Sequence, residues 1–318
     1  MTFDELLDSA EADVKKWLLY VFQQAANNGK LNHLAQLIEA GQVERIIEEL
    51  GLTQSGLAPV ADAVESAFLR GANFQAALGG GVFDKWGSTI QRTLQARAND
   101  TTLRIYQELG RSLQTTIQHG LANNKTPYQI AQDILGLKQA GKRVGGALAL
   151  TSLQKDYAAN AELELLGLDR NYLSRALRDR RFDGAYRKAL ATGTALPAAV
   201  RVKMLSAYQD RLLKHRADVV ARTETLGALN AGRYASAEQD AAALGLDASA
   251  VLATWRSHPD GRTRDSHRPM NGQTVVKGTP FVTGNGSRLL YPGDSSLGAS
   301  ASETINCRCT VTFKIKRA

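Results

Sequence analysis

The sequence predicts an α+β protein, mostly helical through its N-terminal two-thirds and closed by a small C-terminal α+β domain with a short-stranded sheet. Three observations carry this. Apolar residues recur at helical spacing from Leu6 to Leu244, the texture changes after Gly245 to short runs of β-formers separated by Gly and Pro, and a dense set of unusual residues lies between Trp255 and Cys309. With 318 residues the chain has room for two domains, or for one large domain with an extended arm. Aromatic residues make up only 6%, so the core must be built from Leu, Ala, Ile and Val.

Thr2-Phe3-Asp4-Glu5 opens the chain as a capping box, in which the Thr2 hydroxyl and the Glu5 carboxylate satisfy each other's backbone amides. Leu6, Leu7, Ala10, Val14, Trp17, Leu18, Val21 and Phe22 then define a long amphipathic helix ending near Asn27-Asn28-Gly29. Shorter helical patterns cover 31 to 50 and 60 to 69. The run Gly79-Gly80-Gly81 is the first clear interruption and predicts a hinge between an N-terminal helical arm, 1–82, and a helical body, 83–216. The body opens on another helical pattern, from Phe83 to His119. Thr126-Pro127-Tyr128-Gln129 is a second capping box with proline at the first helical position.

From 156 to 188, Arg170, Arg175, Arg178, Arg180, Arg181, Arg187 and Lys188 interleave with Tyr172, Phe182 and Tyr186. Aromatics among arginines suit stacking on a nucleic-acid strand. Asp169, Asp179 and Asp183 sit at spacings that allow local ion pairs, and a solvated helix face is the reading they favour. A further helix runs from Pro197 to about Leu244, with His215 a candidate break. Its second half is expected to pack on a small sheet built from 251–255, 273–276, 280–282 and 310–313, giving a C-terminal domain over 217–318.

No run approaches the roughly 18 apolar residues needed to cross a bilayer, and the first residues lack the layout of a secretion signal, so a cytoplasmic protein is expected. The net charge of +8 is uneven: from Ser249 onward ten Lys or Arg face four Asp or Glu, leaving +2 for the preceding residues. A basic end suits contact with nucleic acid or an acidic protein surface. Two cysteines one residue apart make no disulfide framework; they are thiols, metal ligands or a strained bridge.

The C-terminal set reads Trp255, Asp260, Arg262, Thr263, Arg264 and His267, then Asn271-Gly272-Gln273, Tyr291-Pro292-Gly293-Asp294, Glu303, and Ile305-Asn306-Cys307-Arg308-Cys309. Upstream stand Arg222-Thr223-Glu224, Asn230, Gly232 and Arg233. This order resembles the C-terminal domain of the phage Mu F-like minor head proteins, also called phage head morphogenesis proteins, over about residues 120 to 315. The resemblance implies a non-enzymatic structural protein of the virion head, assembled in the host cytoplasm. It also implies association with the portal protein and with the major capsid or scaffolding protein, and a part in capsid assembly, DNA packaging or DNA ejection. Phage DNA is a further candidate contact, and no membrane is involved.

Arg222, Glu224, Trp255, Asp260, Arg262, Arg264, His267 and Asn306 are read as a structural motif. Asp260, Arg262, Arg264 and Asp265 are expected to knit one loop by charge-assisted hydrogen bonds. On a strand Cys307 and Cys309 point to the same face. With His267, and His258 or Asp260 as fourth donor, they form a candidate zinc site. Against this stands a pair of buried thiols beside a histidine that bonds a loop carbonyl. Some family relatives carry a fuller ligand set at the positions of Arg264 and His267, and Arg264 cannot bind a metal. The alternative from another class is a metal-dependent or nucleotide-modifying enzyme, ADP-ribosyltransferase-like, built on Arg222, Glu224 and His267. On a helix Arg222 and Glu224 point to different sides, which opposes a shared pocket.

Overall fold

Thr2 caps the first helix as its sequence requires: the Glu5 amide donates to Thr2 Oγ1 at 3.2 Å and the Thr2 amide to Glu5 Oε2 at 2.8 Å. The computed structural model describes residues 2–316. Its helices are α1 (Phe3–Asn28), α2 (Leu31–Glu39), α3 (Val43–Glu49), α4 (Ala58–Gly79), α5 (Ser88–Ala122), α6 (Pro127–Leu135), α7 (Ser152–Gly167), α8 (Asp183–Thr192), α9 (Ala198–Ala243) and α10 (Ala301–Thr304). Strands β1 (Leu137–Gln139) and β2 (Lys142–Val144) form one hairpin. A three-stranded antiparallel sheet has the order β4 (Thr274–Val276), β3 (Val251–Arg256), β7 (Thr310–Ile315), and β5 (Phe281–Val282) pairs with β6 (Arg288–Leu289). The α+β class holds.

Two compact units divide the chain. One contains 1–17, 58–101 and 218–318; the other contains 18–57 and 102–217. The expected division at 82 and 216 follows sequence texture, whereas these units follow contacts between residues far apart in sequence. The glycine run explains much of the difference. Gly80 takes φ +75°, and the Gly80 and Gly81 amides donate to Ala77 O and Ala76 O, so the run is the C-terminal cap of α4 rather than a hinge. The expected break near His215 is absent, and α9 runs 46 residues without interruption.

In the first unit α4 and α9 cross with almost no side chain between them. A Cβ on Gly71 would stand 2.2 Å from Leu229 O, and one on Gly232 would stand 2.0 Å from Phe68 O. Only glycine permits that approach. Farther along α9, Ala237 and Ala241 pack with Val251, Leu246, Phe313 and Ile315, which seats the helix on its sheet. Arg233 is buried, with its guanidinium 4.9 Å from the ring of Phe3, 5.6 Å from Phe74 and 5.9 Å from Phe313. Burial pushes its pKa down to about 10.

In the second unit Thr126 and Gln129 complete the expected capping box, and Thr151 with Gln154 forms another. In the basic stretch from 156 to 188 Arg170, Arg180, Arg181, Arg187 and Lys188 are exposed, as a solvated face requires, but two 3-10 turns interrupt the helix and two of the aromatics turn inward. Tyr172 and Tyr186 are fully buried, their rings edge to face at 5.1 Å, and the Tyr186 hydroxyl donates to Glu164 O at 2.8 Å and Asp169 O at 2.9 Å. Their rings are core, unavailable for stacking on a strand. The carboxylates do pair locally: Arg175 with Glu164 at 2.6 Å, Arg178 with Asp183 at 2.8 Å, and Arg181 with the buried Asp179 at 2.6 Å.

Candidate metal centre

Cys307 and Cys309 lie in the extended segment that leads into β7, and both are buried. Asn306 before them takes φ +54°, a conformation asparagine tolerates better than most residues, and its amide donates to Thr223 Oγ1 at 2.9 Å. This turn places both thiols in the interior, while Arg308 between them, half-buried, reaches Asp260. His267 ends the loop that follows β3, and its ring stands edge-on to Trp255 with centroids 5.3 Å apart. Trp255 in turn packs on Phe281 at 5.3 Å.

His267 Nδ1 is 3.7 Å from Cys307 Sγ and 3.6 Å from Cys309 Sγ. Two donors of a tetrahedral zinc ion, with nitrogen at about 2.0–2.1 Å and sulfur at about 2.3 Å, stand about 3.6 Å apart. The spacing fits. All three side chains are buried, and among the described residues their donor atoms lie within 4.8 Å of one another. On the other side of the ring, His267 Nε2 is 2.8 Å from Glu303 Oε2, although its direction does not meet hydrogen-bond geometry. Glu303 is itself held by Ser266 Oγ at 2.9 Å and Asn285 Nδ2 at 2.8 Å. Burial pushes the Glu303 carboxyl up, but the bonds from Ser266 and Asn285 and the neighbouring His267 outweigh it, and the net shift is down. An ionised Glu303 favours the proton on Nε2, which leaves the Nδ1 lone pair facing the sulfurs, as a metal ligand requires. Between the thiols, a hydrogen bond from Cys307 pulls Cys309 below the ordinary thiol range, while the same bond and burial push Cys307 up.

The two residues expected to offer a fourth donor stand outside this group. Asp260 is gripped by Arg308, whose Nη1 donates to Oδ2 at 2.5 Å and whose Nη2 donates to Oδ1. His258 Nδ1 faces the same carboxylate at 3.5 Å. Within the expected charge-knit loop, Arg264 donates instead to Ile305 O, Arg262 is exposed with its guanidinium 3.4 Å from Asp260, and Asp265 faces solvent beside Arg268. The clamp is therefore Asp260 with Arg308, a residue the motif spacing did not single out. Glu303, Ser266 and Asn285 were likewise not assigned a role, because nothing in their spacing marks a carboxylate as the partner of a histidine 36 positions away.

Arg308 holds the Asp260 carboxyl well below the usual range. A depressed carboxylate contributes stability above its unfolded pKa of about 3.9 and loses it as pH falls through the depressed value. The protection of amides 258–264, that is exchange corrected for the intrinsic pH dependence of the rate, should thus stay flat from neutral pH to about 4 and fall only in stronger acid. Arg308→Ala should move that onset to higher pH, and an unmoved onset would show that the clamp does not hold the loop.

The upstream residues hold α9 to its neighbours within the same unit. Arg222 pairs with Glu11 through two bonds of 3.0 Å, and Glu224 accepts from Thr101 Oγ1 at 3.1 Å. These partners lie on α1 and α5, so Arg222 and Glu224 do not converge. Asn230 Nδ2 donates to Pro292 O at 3.1 Å, and Gly293 packs on Gly227, where a Cβ would meet Gly293 O at 3.2 Å. Asp294 closes that loop by accepting from Leu290 N at 2.8 Å and Ser296 N at 2.9 Å.

Residues 173–312 match the family model described as Phage Mu protein F like protein, a segment that starts later than the expected position near 120. No curated protein and no solved structure matches the chain. No helix among the described residues is long and apolar enough to cross a membrane. The matched segment holds the close crossing at Gly232, the Tyr291–Asp294 loop and the histidine-cysteine group, and over these residues the chain is similar to the Phage Mu F-like proteins, a family that suggests phage head morphogenesis.

Proposed function

We propose that the protein is a structural component of the phage head that docks on the portal and on the shell or scaffold, and that its C-terminal region is the rigid part of that contact. The observation that carries this reading is the family match over 173–312, and the use of several motif residues to hold neighbouring backbone or side chains supports it. Asp260, Asn230, Asp294 and Glu303 each hold backbone or a neighbouring side chain, the work of a scaffold. In the same reading His267, Cys307 and Cys309 hold a zinc ion, with Glu303 orienting the histidine. Structural zinc contributes folding free energy where a sheet of three short strands cannot. Packaging or ejection of DNA would draw on the basic end, where Arg256, Arg288, Lys314 and Lys316 are exposed.

The test is recovery of the tagged full-length chain from cells producing the phage, followed by identification of what accompanies it. Portal and shell proteins in fixed proportion are expected, with the chain itself present in purified heads. A chain that is absent from heads and purifies alone would contradict the assignment.

A further inference from the structure

β7 is an edge strand of the first unit, paired with β3 alone in antiparallel register from Val251 opposite Ile315 to Arg256 opposite Thr310. The Lys316 amide donates to Ala250 O at 2.8 Å. Residues of an antiparallel ladder bond their partner alternately, so Lys314 and Thr312 also direct their N–H and C=O to β3. Phe313 and Ile315 between them direct theirs the other way, to the open edge. Among the described residues no hydrogen bond reaches these four backbone groups. Backbone groups that lie against apolar surface call for partners, and at a strand edge the group that supplies a donor and an acceptor in register is another strand.

The surface beside this edge is grooved. A cavity of about 350 Å³ separates Phe313 and Ile315 from Leu78 and the glycine run at the end of α4 and from Leu244 after α9. The glycines put no side chain into the gap, and a Cβ on Gly80 would meet nothing within 4 Å. An added strand lies about 4.7–4.9 Å from its neighbour, which places it in this groove. Its side chains opposite Phe313 and Ile315 would share their face and meet Leu78 and Leu244, both exposed, so apolar residues fit there. Those on the other face would lie beside Thr312, Lys314 and Lys316, all exposed, so acidic residues fit there. The same lysines oppose a second copy, because pairing β7 with β7 would set like charges on one face, and lysine at an edge is a common guard against self-pairing.

We propose that β7 takes up an extended segment of a partner protein as a fourth strand of its sheet, the segment alternating apolar residues with acidic ones. Main-chain bonds to Phe313 and Ile315 supply the attachment, and the two faces supply the selectivity. The proposal does not depend on the head assignment.

The test uses the full chain and hydrogen exchange of single backbone amides read by NMR. In the chain alone the Thr312 and Lys314 amides should exchange slowly and those of Phe313 and Ile315 fast. An acetylated and amidated hexapeptide alternating glutamate and valine should slow the Phe313 and Ile315 amides saturably. Its lysine-valine counterpart should bind roughly tenfold more weakly, because every cross-strand charge pair changes sign. Lys314→Glu combined with Lys316→Glu, both at exposed positions, should invert that order. DNA would draw on the same two lysines, but contact with DNA protects no edge amide, so the readout separates the two partners. Phe313 and Ile315 amides that are already slow in the chain alone, or that the glutamate-valine peptide leaves unprotected up to its solubility limit, would overturn the proposal. Equal binding of the two peptides would overturn it as well, and so would protection that grows with chain concentration alone, which would assign the edge to a second copy.

Discussion

Gly232→Val should abolish cooperative folding of the unit that contains α4, the second half of α9 and the C-terminal sheet. The Cβ would stand 2.0 Å from Phe68 O and 2.8 Å from Ala72 N, and both are backbone atoms of a helix that cannot bend away locally. Overpacking of ordinary side chains costs about 1–3 kcal/mol, and a clash with a rigid backbone exceeds it, against a total stability of about 5–15 kcal/mol. Gly71→Val meets the same crossing from the other side. Gly184→Ala in α8 is the control, because a Cβ there meets nothing within 4 Å and helix propensity favours alanine. Calorimetry should find no cooperative transition for that unit in Gly232→Val and an unchanged or slightly raised one in Gly184→Ala.

Removing residues 1–82 should leave an insoluble or molten remainder. The deleted segment takes Phe68 from one unit and Leu18, Leu34, Ile46, Leu52 and Leu57 from the other, all fully buried. Each such side chain contributes about 1.5–3 kcal/mol by burial, so the loss exceeds the stability of an ordinary domain. Read from sequence alone, the glycine run marks a seam at which truncation leaves a folded body; as the cap of α4 it marks only the end of a helix. A soluble 83–318 fragment with a sharp melting transition would contradict the packing described here.

What was legible in the sequence is local. The boxes at Thr2–Glu5 and Thr126–Gln129 declare themselves because cap and partner are three residues apart, and the sheet is visible because Val251–Trp255 and Thr310–Phe313 are runs of β-formers. What was not legible depends on partners distant in sequence. Tyr172 and Tyr186 look like stacking residues among arginines until α7, α8 and α9 enclose them. Gly71 and Gly232 carry no mark of the crossing they make. The histidine and cysteines of the candidate site were visible as residue types, but the carboxylate behind His267 and the engagement of Asp260 by Arg308 are consequences of the folded loop alone.

The measurement that bears most directly on the centre of this account is X-ray absorption at the zinc edge, with elemental analysis, on full-length protein purified without chelator. One zinc per chain is expected, its first shell containing two sulfurs at about 2.3 Å and one nitrogen at about 2.0–2.1 Å, and it should be lost from Cys307→Ser and Cys309→Ser together with melting of the C-terminal sheet. A chain that takes up no metal even when zinc is supplied, with both serine variants melting as the parent does, would contradict it and leave His267, Cys307 and Cys309 as a packed group with no metal to hold.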